Sequence, residues 1–235
     1  MPHVRGEIRE IWLDGDQAAG WIDCPPNILP APGQYVLAAS AEDDPAEPLS
    51  LELFPGYAAG PIRAGGLVVS PPLPSTWLPG ALLDLRGPFG TGFRLPGLVG
   101  RLALAAAGDS LSRLLPLAQV VLAQSGEVTL FSDLPLPESL PAEVEAAPLA
   151  ALGDSLSWPD FLAVDLDRAD LGELRSRLGL PAELRLPFPA QSLLTGRMPC
   201  AAVGAECGLC AVRARSGWRL ACKDGPVFDL SELEW

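Results

Sequence analysis

Apolar and polar residues alternate in short stretches over the first third of the chain and give way to near-continuous apolar runs in the middle. Arg5-Gly-Glu-Ile-Arg-Glu-Ile-Trp-Leu alternates over part of its length, and Gly20-Trp-Ile-Asp-Cys reads as its partner strand. Asp14-Gly15 between them suits a tight turn. Pro32-Gly33 predicts a turn followed by a strand, and Leu49 to Phe54 and Gly66 to Ser70 predict two more. Pro79 to Phe93 closes this region with a strand and a glycine-rich loop. Short strands broken by glycine and proline predict a small antiparallel barrel over residues 1–97.

The pattern then changes. Arg101-Leu-Ala-Leu-Ala-Ala-Ala reads as a buried strand, and Gly108-Asp109-Ser110 as a turn with Asp109 or Ser110 as helix N-cap. Apolar residues recur at helical spacing from Leu111 to Gln124, where Pro116 either kinks the helix or marks its true first turn. Strands are predicted at Glu127 to Ser132, Ala142 to Ala147 and Phe161 to Leu166, and a short helix from Leu171 to Leu178 ends at Gly179. Strand, helix and strand in turn imply a parallel sheet, hence a reduced α/β unit over residues 98–186. The segment from Pro187 to Arg197 is expected to link this unit to a C-terminal module over 187–235, with Leu193-Leu194 packed on the body.

Composition narrows the function classes. The chain has 235 residues, 49% of them hydrophobic and 19% charged, enough for two small packed domains. A formal charge of −13 argues against a nucleic-acid surface and against an anionic membrane. Arg101, Asp109 and Arg113 interrupt the most apolar region, so no run has the length of a membrane span. Proline (26) and glycine (24) favour short elements joined by tight turns, and no fixed-period repeat is visible.

Cysteine supplies the candidate chemistry. Of five cysteines, Cys200, Cys207, Cys210 and Cys222 crowd into one C-terminal stretch, leaving only Cys24 elsewhere. Thiolates hold soft metals, and Gly204, Ala205 and Gly208 leave the loop free to turn its N–H groups toward bound sulfur. The gaps are six residues, two residues, and then a late fourth cysteine. A plant-type two-iron cluster has a first gap of four, while its second gap and distant fourth cysteine agree. Two other uses compete. A structural zinc wants two close cysteine pairs, and only Cys207 and Cys210 make one. Disulfides would need an oxidising compartment, and no signal peptide is visible, so a cytoplasmic protein with reduced thiols is expected.

Gly204-Ala205, then Cys207-Gly-Leu-Cys-Ala-Val212, and above all Ala221-Cys-Lys-Asp-Gly-Pro-Val-Phe-Asp-Leu230, resemble the C-terminal end of the dihydroorotate dehydrogenase electron transfer subunit. That family is ferredoxin-reductase-like and carries a C-terminal 2Fe–2S cluster. The resemblance implies Cys200, Cys207, Cys210 and Cys222 as cluster ligands, although the family's first gap is the shorter four. Pro32-Gly33-Gln34-Tyr35 resembles the family's Pro-Gly-Gln-Phe, and Gly87-Pro-Phe-Gly-Thr-Gly-Phe93 its Gly-Pro-Leu-Gly-x-Gly-Phe loop. The family's Arg-Pro-x-Ser flavin segment corresponds to Glu47-Pro48-Leu49-Ser50, which would make Pro48, Leu49 and Ser50 the flavin contacts. A carboxylate at Glu47 repels a pyrophosphate where a guanidinium would clamp it, so FAD affinity is expected to be much reduced. In the second domain the family binds a nicotinamide dinucleotide at a glycine-rich turn. Here Ala105-Ala-Ala-Gly108-Asp109-Ser110 keeps one glycine and adds an acid, so NAD is not expected to bind.

The resemblance implies an electron-transfer role beside a partner oxidoreductase, with a dihydroorotate dehydrogenase catalytic subunit as candidate and pyrimidine biosynthesis as the setting. The alternative is a non-catalytic scaffold or interaction protein whose cysteines form a zinc staple. Other residues are expected to be structural. Cys24 reads as a buried thiol, and Asp165, Asp167 and Asp170 as a solvated helix start. Lys223-Asp224 reads as a turn, and Trp218 as a shield between the cluster and water. His3 is the only histidine and has no nucleophile to pair with.

Overall fold

The computed structural model describes residues 3–14, 17–40, 51–56, 66–69, 72–137, 140–181, 185–196, 198 and 207–235. Its first sheet is built from β1 (His3–Asp14), β2 (Gln17–Asp23), β3 (Tyr35–Ser40), β4 (Leu51–Leu53), β5 (Gly66–Val69) and β6 (Leu82–Phe89). All are antiparallel in the order β4-β3-β6-β1-β2-β5. The sheet curls until Gly56 N–H, just past β4, donates to Val68 O on β5 at 2.9 Å, beside a Pro55–Val69 bridge. That bond closes the barrel and pairs strand edges that would otherwise be open. Strand β6 shows the underlying pattern: Leu83, Leu85 and Phe89 are buried while Leu82 and Arg86 are exposed, the period-two alternation of a sheet with one wet face. Ile8, Ile22, Val36, Leu53, Val69 and Leu85 fill the interior. Cys24 lies in the same core, where burial pushes its thiol up to about 11 and keeps it neutral.

The second sheet holds β7 (Arg101–Ala106), β8 (Glu127–Ser132), β9 (Val144–Ala147), β10 (Phe161–Asp167), β11 (Ala190–Thr195) and β14 (Val227–Asp229), in the order β14-β11-β10-β7-β8-β9. Every pairing is parallel except that of β14 on β11. The central strands are apolar throughout because both faces are covered. Helix α1 (Leu115–Leu122) covers one face through Leu115, Leu117, Ala118 and Val121. Pro116 sits in its first turn, so the second of the two readings of that proline is the observed one. Of the expected helix 171–178, only α2 (Leu174–Arg177) is α-helical, preceded by a 3-10 stretch (Arg168–Glu173) and stopped at Gly179 with φ +67°.

Residues 190–195 are not a linker. They form β11, a strand of the sheet, with Leu193 and Leu194 fully buried. The sequence pattern hid this because Ala-Gln-Ser-Leu-Leu-Thr has no alternation, and a proline-rich lead-in reads as a connector. The hairpin β12 (Ala211–Ala214) and β13 (Gly217–Leu220) and the single turn α3 (Ala221–Asp224) lie between β11 and β14 along the chain. They pack on the sheet's other face, where Val164, Leu193, Phe228, Val212 and Ala221 share one core with Tyr35 and Phe89 of the barrel. Tyr35 and Phe89 stack with centroids 5.6 Å apart.

The joint between barrel and C-terminal segment is a backbone-to-backbone approach. Thr91 N–H donates to Gly225 O at 2.6 Å, and Thr91 Oγ1 donates to Val227 O at 3.0 Å. Gln34 Nε2 holds the Gly90 carbonyl at 2.9 Å, and Phe93 N–H donates to Pro32 O at 2.9 Å. Gly90 has φ +76°, and a Cβ there would lie 2.4 Å from Pro226 Cδ and 2.6 Å from Gly225 O. Gly90→Ala should therefore cost about 2–4 kcal/mol from left-handed strain plus overpacking, read as a lower urea midpoint. An unchanged midpoint would mean that the joint is loose.

Candidate iron–sulfur site and the switch-point ion pair

The cysteine site grows out of the β12–β13 hairpin. Register pairs Ala211 with Leu220, and Ala221 N–H then donates to Cys210 O at 2.9 Å. The ladder thus runs one step past the strands and delivers Cys210 and Cys222 to the same end. Their sulfurs stand 3.2 Å apart. That is far beyond a disulfide bond of about 2.05 Å. Two thiolates on one tetrahedral metal at about 2.3 Å would stand roughly 3.8 Å apart, a little wider than this. Two thiols meeting with no S–S bond is a donor set that suits a soft metal centre.

The surrounding residues fix this end of the hairpin. Asp224 Oδ2 accepts from Leu220 N–H at 2.8 Å and locks the turn that carries Cys222, so Lys223-Asp224 belongs to a one-turn helix. Gly208, at φ +76°, makes the sharp bend between Cys207 and Cys210. Cys210 is buried, Cys222 half-buried and Cys207 exposed, so the site runs from core to surface. Among the described residues, no three Cys, His, Asp or Glu side chains come close enough together to hold a metal ion. Cys200 lies outside the described residues, as do Glu47, Pro48, Leu49 and Ser50. Trp218 does not shield this site: it is 70% exposed and pairs with Arg213 near the turn of the hairpin, away from the cysteine end.

The second site lies at the switch point of the second sheet, where a buried ion pair sits. Strand order reverses between β7 and β10, the place where open α/β sheets bind ligands beyond their strand ends. Asp165, near the end of β10, is not part of a solvated helix start as the acidic run suggested; it is 0% exposed because β10 is central in the sheet. Arg113 grips it with a fork, Nε to Oδ2 at 2.7 Å and Nη2 to Oδ1 at 2.9 Å, and also donates to Asp109. Burial pushes the Asp165 carboxyl upward, and the Arg113 guanidinium pulls against that. Burial works against the charge of Arg113, but Asp165 and Asp109 outweigh it and hold the pKa above its ordinary range. Ala107 N–H donates to Asp165 O at 2.8 Å, and a Cβ on Gly108 would sit 2.6 Å from Asp165 Oδ1. Asp109 and Ser110 do not cap the helix: α1 starts only at Leu115, without a side-chain cap. The other two acids are local devices, Asp167 accepting from Ala169 N–H at 2.7 Å and Asp170 pairing with Arg177 at 3.1 Å.

Comparison with known proteins bears on the cysteine segment and on the fold. The family model for the iron–sulfur cluster binding domain of dihydroorotate dehydrogenase B matches residues 195–234. The chain is similar to the dihydroorotate dehydrogenase electron transfer subunit. Its fold is ferredoxin-reductase-like with a C-terminal module. A solved structure of an NADH-dependent reduced ferredoxin–NADP oxidoreductase, described for flavin-based electron bifurcation, shares it with TM-score 0.71 at 18% identity, over 98% of this chain and 90% of that one. The ferredoxin reductase of carbazole 1,9a-dioxygenase gives 0.55 at 18% identity, over 77% and 67%. A ferredoxin NADP+ reductase from Neisseria gonorrhoeae with bound FAD and NADP gives 0.53 at 13% identity, over 81% and 97%. No curated protein sequence matches the chain. No helix among the described residues is long and apolar enough to cross a membrane.

Sequence reasoning missed Arg113 and Asp165 as a pair. The available signal was an arginine inside an apolar helical stretch and an aspartate inside an apolar strand, each unaffordable alone in a core and therefore candidates for each other. Asp165→Asn should cost about 3 kcal/mol, with Asp109 still beside the stranded guanidinium. Arg113→Met with Asp165→Leu should return to within about 1 kcal/mol of wild type or exceed it. Urea denaturation of both variants checks this, and a harmless single substitution would mean the pair is hydrated.

Proposed function

We propose that this chain is an electron-transfer protein in which Cys200, Cys207, Cys210 and Cys222 hold a 2Fe–2S cluster. It exchanges electrons with a partner oxidoreductase subunit, for which a dihydroorotate dehydrogenase catalytic subunit is the candidate. The observation that carries this reading is the Cys210–Cys222 sulfur contact of 3.2 Å on a hairpin inside the matched segment. When bound, the cluster supplies one-electron redox chemistry. The chain's own residues do the rest. The hairpin holds two ligands at fixed separation, Gly208 frees the knuckle to fold around sulfur, and the apolar packing around Cys210 keeps water from that side. The acidic surface selects partners by charge.

The same reading divides the chain into the barrel of residues 1–97, the α/β unit of 98–186 and the cluster module of 187–235, which lends β11 and β14 to the sheet of the α/β unit. It gives the α/β unit no dinucleotide. A pyrophosphate needs N–H donors at a helix start and room for close backbone approach. The Arg113–Asp165 pair fills that room, and Asp109 adds charge of the wrong sign. FAD at Pro48, Leu49 and Ser50 is a separate question, answered by whether heat releases a yellow cofactor.

Anaerobic purification should yield a coloured protein with iron and acid-labile sulfide near two of each per chain. Cys210→Ser or Cys222→Ser should abolish the colour, and NADH titration should give no saturable change in protein fluorescence. A colourless, iron-free protein with one tightly held zinc would sink the reading and favour the scaffold alternative.

A further inference from the structure

Two stems carry the cysteine loop, and one side chain touches both. The first stem is the end of β11 at Thr195 and Gly196; the second is the knuckle at Leu209, between Cys207 and Cys210. Arg168 stands immediately beyond β10, whose last residue, Asp167, is level with Thr195 in the parallel pairing. Its side chain reaches across that end of the sheet. Nη2 donates to Leu209 O at 3.2 Å, and Nη1 lies 3.5 Å from Thr195 O. Gly196 makes room for it, with φ +114° and an imagined Cβ only 3.1 Å from Arg168 Nη1. A side chain at 196 would be strained by that φ and would press on the guanidinium.

The partners matter as much as the reach. Both are backbone carbonyls, which accept hydrogen bonds without neutralising charge. Among the described residues Arg168 makes no ion pair, whereas Arg9, Arg101, Arg113 and Arg177 all do. A guanidinium stays protonated throughout the accessible pH range. A full positive charge is therefore held against the carbonyl next to Cys210 in a chain of net charge −13. Reduction adds negative charge to a cluster, and a fixed nearby cation favours the reduced form.

We infer that Arg168 is a positioning residue for the cluster site, clasping the two stems of the cysteine loop and raising the reduction potential through its uncompensated charge. This rests on the iron–sulfur reading above. The two contributions separate by substitution. Arg168→Gln removes the charge and retains one donor; Arg168→Lys retains the charge and loses the fork.

The experiment uses the purified cluster-loaded protein, with potentials from EPR-monitored redox titration and cluster loss followed by absorbance under an iron chelator. Arg168→Gln should lower the midpoint potential, and Arg168→Lys should leave it close to wild type. Both should lose iron faster, by about tenfold for one charge-assisted hydrogen bond. Gly196→Ala should reproduce the faster loss by pushing the guanidinium aside. Wild-type potential and wild-type chelation rate in Arg168→Gln would overturn this inference alone. A wild-type protein without iron would instead overturn the reading beneath it.

Discussion

Backbone contact between residues 90–91 and 225–227 is the constraint on which the rest depends. Side chains can tilt to accommodate a neighbour, but two main chains joined by N–H···O bonds cannot separate or slide without losing those bonds. Thr91 N–H to Gly225 O fixes the barrel to the C-terminal segment, and Leu194 N–H to Pro226 O at 3.0 Å fixes that segment to β11. Cys222 lies three residues before Gly225, so the position of its sulfur is inherited from both sheets at once. The glycines at 33, 90 and 225 share one reason: a Cβ on each would meet Val227, Pro226 or Phe228 within 2.5 Å. Three sequence motifs far apart in the chain are thus the faces of a single joint.

Two places beside the C-terminal end of β10 show opposite solutions to burying polar groups. At the cysteine end, main-chain groups are satisfied by the hairpin ladder and by Asp224, and the side chains left over are thiols. At the β7–β10 crevice the leftover group is a carboxylate, and it is costly without a partner. A cofactor phosphate could not serve Asp165, because both are anions. Arg113 serves it from within the chain. The pair adds little net stability for the space it takes, since desolvation offsets most of the attraction. What it does is tie the turn after β7, through Asp109 and Arg113, to the end of β10.

Much of the architecture was legible because pattern and environment agreed. Strands β1, β2, β6, β8 and β10 follow from alternation or from apolar runs, and the barrel from its glycine and proline punctuation. Two things were not legible. Strand β11 has neither pattern, because it is buried on both faces yet carries glutamine, serine and threonine. Its place in the sheet is decided by β10 and β14, which lie far away in sequence. Asp165 looked like its exposed neighbours Asp167 and Asp170, because local sequence says nothing about a guanidinium that arrives from residue 113. Cysteine spacing pointed to the stretch that the family model matches, while the 3.2 Å contact required knowing which end of the hairpin each sulfur occupies.

On the proposed reading, the gradation in exposure across the cysteines settles how electrons would enter. Cys210 is buried and Cys222 half-buried, whereas Cys207 is exposed on the same knuckle, next to Leu209 at 68% exposed. A centre bound between them would have one side in the core and one side at the surface. Exchange with a partner then needs no internal aromatic relay, and Trp218, pointing into solvent, has none to provide. Burial on one side alone would favour the less charged, oxidised state, and so would the acidic body around it. Arg168, reaching both stems from the end of β10, is the local cation that works the other way. The potential is therefore a contest between a whole-chain charge screened beyond about 10 Å and a single fixed charge close at hand, and at that range the near one has the larger say per unit.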